Sequence, residues 1–361
     1  MTARRACQRC LARTWLVERL AANLEPARGR IQEVLALSDE RLIAAVAGAA
    51  AERVRAELLA FDAEAAHAHA ARHGVEMICR CDADYPDRLR GLVSPPAVLH
   101  VAGGVGRCLH LLAAEPVALV GSRRGSQYGL DVARALGRGL ACAGIPVISG
   151  MANGIDSAAH SGALISGGLT VAVLPSGAHR AYPPAKRALH AEIVAVGAAV
   201  SELPGADGVR RWMFPARNRL IAALSAMTVV VEASERSGAL VTAANARSLH
   251  RRVGAVPGRV TSSLSSGTNE LLVRGADVVR NPQDVLDLLY GQGAHVLAAP
   301  PKPPLAPELD LLLAAVAEGH DTAGALERAG FPAEQHLAAL ASLELAGYVR
   351  REPGGRFSVT A

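Results

Sequence analysis

The sequence predicts an α/β protein with a doubly wound, mostly parallel sheet between two smaller units, and three observations carry this. Between residues 117 and 290, near-continuous apolar runs of strand length alternate with helical stretches, the pattern of a parallel sheet covered on both faces and therefore of a Rossmann-like architecture. Ahead of it, residues 13–73 keep a helical apolar period. Behind it, a proline-rich stretch leads to three helical runs and two short strands across Pro353-Gly354-Gly355, the order of a winged helix.

In chain order, the N-terminal unit (1–80) reads as a small bundle of the helix-hairpin-helix or SAM-like kind. Trp15, Leu16 and Leu20 form one stripe, Ile31, Val34, Leu35 and Leu42 a second, and Val54, Leu58, Leu59 and Phe61 a third, with breaks at Pro26, Gly29 and Gly48. A DNA-binding module and a packing role suit it equally. Residues 81–114, with Asp84-Tyr85-Pro86 and Ser94 to Val101, form an extended connector that joins the sheet. In the central domain (115–291), strands are expected at Val117–Val120, Pro146–Ser149, Thr170–Leu174, Ala198–Ser201, Thr228–Val231 and Val253–Val256. Helices are expected near Gly129–Ala143, Asp156–Ile165, Lys186–Val196, Asn218–Leu224 and Leu240–His250. Residues 292–307 are a stiff linker carrying Pro300, Pro301, Pro303, Pro304 and Pro307. In the last unit (308–361), Leu309–Ala317, Thr322–Ala329 and Ala333–Leu345 are helices, and Tyr348–Arg351 and Arg356–Val359 a hairpin.

Charge narrows the function. Residues 115–291 hold 18 basic and 12 acidic side chains, residues 1–114 hold 15 and 13, and residues 292–361 hold 5 and 8, so the net +5 concentrates in the sheet domain. Only Lys186 and Lys302 are lysine. Arginine, whose planar fork suits phosphate, is left to bind any anion, which directs attention to a polyanion partner. No apolar run approaches the roughly 20 residues of a membrane-spanning helix and no secretory signal opens the chain, so a cytoplasmic protein is expected. Six cysteines fit reduced thiols rather than a disulfide framework. Cys7-x-x-Cys10 and Cys79-x-Cys81 could supply four thiolates to zinc, but the narrow second spacing and the long separation favour unliganded thiols, and no metal is expected.

Ligands of such sheets sit at the carboxyl ends of the strands, and the loops there are informative. The first strand runs into Gly121-Ser122-Arg123-Arg124-Gly125-Ser126-Gln127-Tyr128-Gly129 and a helix, where free N–H groups, the helix dipole and Arg123 would receive a phosphate. A dinucleotide enzyme would show Gly-x-Gly-x-x-Gly and an acidic residue about 20 positions on, yet 141–150 contains none, which disfavours NAD; neither lysine follows a glycine, which excludes a P-loop. The second strand ends in Ser149-Gly150 to Gly154-Ile155-Asp156, with Asp156 read as a helix N-cap and a weak dyad with His160. The third opens onto Ser176 to Pro184, followed by Lys186-Arg187, cations that oppose the helix dipole unless an external anion joins them. Trp212 to Arg219 sets Arg217, Asn218 and Arg219 beside Trp212 and Phe214, and Tyr128 and Tyr182 also neighbour basic loops. Arginines for phosphates and rings for bases are the composition of a single-strand groove, although some of these rings could be core.

Taken together, Gly121-Ser122-Arg123 with Tyr128-Gly129, Ser149-Gly150 to Asp156, Tyr182-Pro183, Ser201-Glu202, Phe214-Pro215 to Arg219, Glu232-Ala233, Ser237-Gly238, Thr242-Ala243 and Pro257-Gly258 resemble the DprA/Smf family of DNA-processing proteins. Asp84-Tyr85-Pro86 and Pro95-Pro96 match its upstream segment, and both terminal units resemble the family's accessory domains. The resemblance implies a non-enzymatic dimer that needs no cofactor, binds and protects single-stranded DNA during natural transformation, and loads the recombinase RecA onto it. Carried over by position, Arg123, Lys186, Arg217 and Arg219 become phosphate contacts. Gly121, Ser122, Gly150, Gly154, Ser237, Gly238 and Thr242 shape the pocket, and Ser126, Tyr128 and Asn218 fall within the same motifs. Tyr182 and Phe214 are added as stacking platforms on physical grounds. His179 departs from the family, which commonly has an acidic residue there, and makes that rim less negative. The expected recognition helix Ala333–Leu345 carries Glu334 and Glu344 and no Lys or Arg, which points to a protein-interaction or regulatory role for the winged helix. Two other classes stay open: a nucleotide-binding or nucleotide-cleaving Rossmann-like enzyme, and an interaction scaffold with an incidental basic edge.

Overall fold

The computed structural model describes residues 6–205, 208–295, 305–345 and 348–359, without the side chains of 333–335 and 345. It forms two compact units, Met1–Leu297 and Ala298–Ala361. Most of the proline-rich linker, including Pro300, Pro301, Pro303 and Pro304, lies outside the described residues.

In the first unit the N-terminal helices are α1 (Gln8–Arg19), α2 (Ile31–Leu35), α3 (Asp39–Val46), α4 (Ala51–Leu59) and α5 (Ala63–Arg72), with a 3-10 turn at Glu25–Arg30. They do not close a core of their own. Leu16, Leu20, Leu24, Leu42, Ile43 and Val54 share one buried cluster with Leu203, Trp212, Met213 and Ala216 of the sheet domain. Trp212 Nε1 donates to the Ala21 carbonyl at 2.8 Å, and Glu18 accepts from Gly205 N at 3.0 Å. Trp212 therefore anchors the helical unit from below and is not a groove ring.

The sheet has nine strands: β1 (Val75–Cys79), β2 (Val98–Ala102), β3 (Val117–Gly121), β4 (Val147–Ser149), β5 (Thr170–Val173), β6 (Ala198–Ser201), β7 (Met227–Glu232), β8 (Arg252–Ala255) and β9 (Asp277–Val278). Their order is β1-β2-β6-β5-β4-β3-β7-β8-β9. The strands from β6 to β9 run parallel, while β2 pairs antiparallel with both β1 and β6. The connector thus adds one antiparallel strand, β2, after α6 (Asp87–Arg90) and continues into α7 (Val105–Ala113), while the other antiparallel strand, β1, comes from the end of the 1–80 segment expected to be helical. Strand β1 is short and carries a charge, so its apolar signal is weak. That charge is structural, because Glu76 accepts the Val105 N–H at 2.7 Å and starts α7.

The covering helices are α8 (Gln127–Cys142), α9 (Ile155–Ile165), α10 (Arg187–Val196), α11 (Met213–Leu224), α12 (Gly238–Ser248), α13 (Ser266–Val273) and α14 (Pro282–Tyr290). Alternation along β3 sorts the two faces. Ala118 and Val120 join the cluster built with α7, α11 and α12, and Val117 and Leu119 the one built with α8, α9 and α14. Helix α11 starts five residues before the expected Asn218, because Pro215 falls within its first turn, where a missing N–H breaks no bond. Asp156 is not the cap of α9. Gly154, at φ +79°, holds that position, and the Asp156 carboxylate accepts instead from Gly150 N at 3.2 Å and Ala152 N at 3.4 Å.

His160 is no catalytic partner of Asp156 either. Its Nδ1 lies 2.7 Å from Thr170 Oγ1, whose hydroxyl donates to the Val147 carbonyl, so the ring N–H donates to threonine. Burial drives His160 down to about 3 and His100 down to about 4 from the ordinary 6.5. Between those values and 6.5 the unfolded chain binds the extra protons. The stability held by the two neutral rings is complete above pH 6.5 and drains as pH falls toward 4 and 3, by about 1.4 kcal/mol per unit per histidine. Denaturant midpoints should therefore be lower at about pH 5 than at neutrality, and equal midpoints would contradict this.

The second unit contains α15 (Pro307–Ala317), α16 (Ala323–Arg328), α17 (Ala333–Leu345) and the antiparallel hairpin of β10 (Val349–Glu352) and β11 (Arg356–Val359). Leu312, Val316, Leu326, Leu340, Leu343 and Phe357 form its core, completing a winged helix.

Candidate nucleic-acid interface

Strand order reverses at β3: β4 to β6 lie on one side of it and β7 to β9 on the other. The carboxyl ends of β3 and β7 therefore flank a switch point, where an open α/β sheet leaves a crevice. Here it is a cavity of about 750 Å³ walled by the loops after β3 and β7, with α11 between them.

The loop after β3 is tied down by a buried glutamate. Ser122 N donates to the Glu232 carbonyl at 2.7 Å, while Ser126 N and Oγ donate to the Glu232 carboxylate at 2.7 and 2.6 Å. Ser126 Oγ also accepts from Gly129 N and caps α8. Gly154 presses on the same loop from behind, and a side chain there would strike the Ser122 and Arg123 backbone. Loop and helix start are thus fixed, while Arg123 and Arg124 are exposed. On the other wall Ser237 caps α12 by accepting from Ala239 N, which aims the positive end of that helix dipole, with Gly238 and Thr242, at the cavity.

Arg217 forms part of the wall. Its Nη1 donates to the carbonyls of Gly150 and Val173 at 2.7 and 2.6 Å, and its Nε to Asn218 Oδ1 at 3.2 Å; Asn218 Nδ2 in turn reaches the Gly238 carbonyl. A Cβ on Gly150 would collide with the guanidinium, so this glycine serves Arg217 rather than a ligand. Burial pushes Arg217 down to about 10 and Asp156 up from its ordinary value, and each charge opposes the shift of the other. At the rim Arg123 stacks on Phe214 at 4.7 Å, and Phe214 meets Tyr182 at 5.6 Å between ring centroids, so the two aromatic candidates share one platform. Arg28, Arg211 and Arg236 complete the lining.

Among the described residues, six arginines and a single carboxylate, Asp156, therefore line this cavity. Gly121, Ser122, Arg123, Arg217, Asn218, Ser237, Gly238 and Thr242 line it as the motifs suggest; Ser126, Gly150 and Gly154 support it from behind. Three candidates are placed elsewhere. Arg219 is fully buried, bound to the Glu202 carboxylate at 2.7 and 2.9 Å and to Ser94 Oγ at 3.2 Å. Two residues along a helix turn a side chain by about 200°, so Arg217 and Arg219 cannot share a wall. Tyr128 is 52% exposed and donates to the Pro257 carbonyl, and Lys186 sits in the 3-10 turn Pro184–Lys186, neither of them in the lining. Sequence reasoning misses Arg124, Arg211 and Arg236, although all three stand within or beside the motif loops. Arg28 carries no local signal, since only the docking of the N-terminal unit brings it there. Arg219→Ala should cost about 2 to 3 kcal/mol, somewhat under the loss for a fully buried pair because Glu202 is 17% exposed. A denaturant titration checks this, and stability unchanged in the variant would return Arg219 to the candidate site.

Comparison with known proteins gives a consistent picture. A family model described as DNA recombination-mediator protein A matches residues 76–290, and one described as the DprA winged helix domain matches residues 297–355. The chain is 37% identical over 281 residues to Protein Smf of Escherichia coli, covering 75% of this chain and 74% of that one. It is 38% identical over 202 residues to DNA processing protein DprA of Streptococcus pneumoniae, covering 56% and 70%. Among solved structures, DprA of Streptococcus pneumoniae superposes with a TM-score of 0.63 at 30% identity, over 79% of this chain and 99% of that one. DNA processing protein A of Helicobacter pylori, whose structure concerns its single-stranded DNA binding mode, gives 0.54 at 29%, over 60% and 95%. No helix among the described residues is long and apolar enough to cross a membrane.

Proposed function

Because this chain belongs to the DprA/Smf family of DNA recombination-mediator proteins, we propose that its arginine-lined cavity binds the phosphates of single-stranded DNA and that the protein presents the bound strand to RecA. The observation that carries the reading is the lining itself. Arg28, Arg123, Arg124, Arg211 and Arg236 are exposed, and among the described residues they share the lining with no carboxylate but Asp156, which accepts from backbone N–H groups. The Arg123–Phe214–Tyr182 stack adds a face for bases beside the phosphate contacts, the pairing that single strands favour and stacked duplex cannot use.

The same geometry favours binding over catalysis. A nucleotide-cleaving enzyme needs a carboxylate free to act as base or nucleophile, whereas Asp156 in the lining and Glu232 under the loop after β3 are both buried and held by hydrogen bonds. Protection of incoming DNA, action as a homodimer in natural transformation and a cytoplasmic location complete the reading. The acidic winged helix, whose Glu344 is exposed on α17, is assigned to protein contact or regulation rather than to the strand.

The test is a competition assay followed by a loading assay. Labelled oligo-dT should be displaced by unlabelled single strands and not by duplex of equal length, and the protein should speed RecA filament growth on single strands coated with a single-strand binding protein. Duplex competing equally would remove the single-strand reading. Normal DNA binding without any effect on RecA would remove only the loading role.

A further inference from the structure

Four cysteine sulfurs meet where the N-terminal helix abuts the edge of the sheet. Cys7 is the N-cap of α1 and Cys10 lies in its first turn; Cys79 ends β1 and Cys81 follows two residues later. Their Sγ atoms all lie within 4.8 Å of one another, with those of Cys10 and Cys81 3.6 Å apart. Four thiolates around zinc, at about 2.3 Å each, stand roughly 3.8 Å from one another in a tetrahedron. A disulfide requires about 2.05 Å between two sulfurs and gives the other two no role. We propose that Cys7, Cys10, Cys79 and Cys81 form a closed, structural zinc site.

The surroundings suit thiolates. The start of α1 turns its free N–H groups and positive dipole end toward the cluster, and the Cys7 N–H itself donates to Cys79 Sγ at 3.5 Å. Arg90 fixes the short loop that carries Cys81 by donating to the carbonyls of Arg80 and Asp82 at 2.7 and 2.6 Å. Leu11, Val75, Met77 and Val98 wall the site from beneath. As metal binds, each thiol gives its proton to solvent, and zinc stays divalent. All four ligands are protein sulfurs, which leaves no open coordination position and assigns the metal a structural role. The spacing that speaks against zinc in the sequence is what the fold supplies, because β1 returns to the start of α1. The site staples the N-terminal unit, and with it Arg28, to the edge strand of the sheet.

Metal analysis of the full-length chain purified without a metal-affinity tag tests this, with no reference to DNA. The expected result is about one zinc per chain in the wild type, loss of it in Cys10→Ser/Cys79→Ser, and retention in Cys81→His, since imidazole also ligates zinc. Cys108, buried in the core, and Cys142, exposed, serve as controls whose replacement by Ala leaves zinc content unchanged. Should the double variant fail to fold, cobalt titrated into chelator-stripped wild type gives a second readout: thiolate-to-cobalt charge-transfer absorption saturating at one equivalent. Wild-type zinc no higher than in the double variant, an absent cobalt spectrum, or a disulfide among these four cysteines in unreduced peptides would each overturn the site.

Discussion

Charge reversal of Arg123 and Arg211 together is expected to weaken oligo-dT binding at least a hundredfold, about 2.7 kcal/mol. Both side chains are exposed in the cavity wall, and among the described residues neither holds a side-chain hydrogen bond, so denaturant stability should stay within about 0.5 kcal/mol. Arg123 contributes twice, as a phosphate fork and as the cation stacked on Phe214. Reversal of two exposed arginines elsewhere, Arg53 and Arg274, makes the same change in net charge and should cost far less. Equal losses from the two pairs, read by fluorescence anisotropy, would mean that total charge and not this cavity attracts the strand.

Arg217→Ala is expected to act on folding first. The residue is 6% exposed and donates to two carbonyls, and its positive charge favours the ionised form of Asp156, which is 5% exposed. Leaving a buried acceptor without its donor costs about 1 to 3 kcal/mol, and two carbonyls lose theirs. Arg217→Lys keeps the charge and loses the fork, and should fall between. Stability unchanged in Arg217→Ala, with DNA affinity lost, would show instead that Arg217 is held for the ligand. The two substitutions separate a contact residue from one that builds the wall, although both are arginines of one cavity.

The sheet was legible because its strands are buried on both faces and read as unbroken apolar runs, and because glycine-bearing turns mark their carboxyl ends. The short edge strand β1 was not legible, and neither was the start of α11 at Met213, five residues before the expected Asn218, with Pro215 in its first turn. Motif reading located the cavity wall by wall, since Gly121, Arg123, Ser237 and Thr242 lie beside strand ends in the chain as they do in space. It could not separate Arg217 from Arg219, because that distinction depends on helix phase and on Glu202 waiting on the far side. Nor could it find Arg28 or the four-sulfur cluster, which exist only once residues far apart in the chain have docked. Local chemistry is written in the sequence, whereas a partner supplied by another element is not.

Whether the exposed arginines of the cavity hold the phosphates of a single strand is decided by the salt dependence of oligo-dT affinity. Single-stranded DNA releases counterions with a slope of about −0.7 per phosphate neutralised, so the five exposed arginines of the lining predict a log–log slope of roughly −3.5. In the Arg123 and Arg211 charge-reversal variant the slope should be shallower by about 1.4 or more. An affinity that is flat across salt, or a slope that the variant shares with the wild type, would contradict the account.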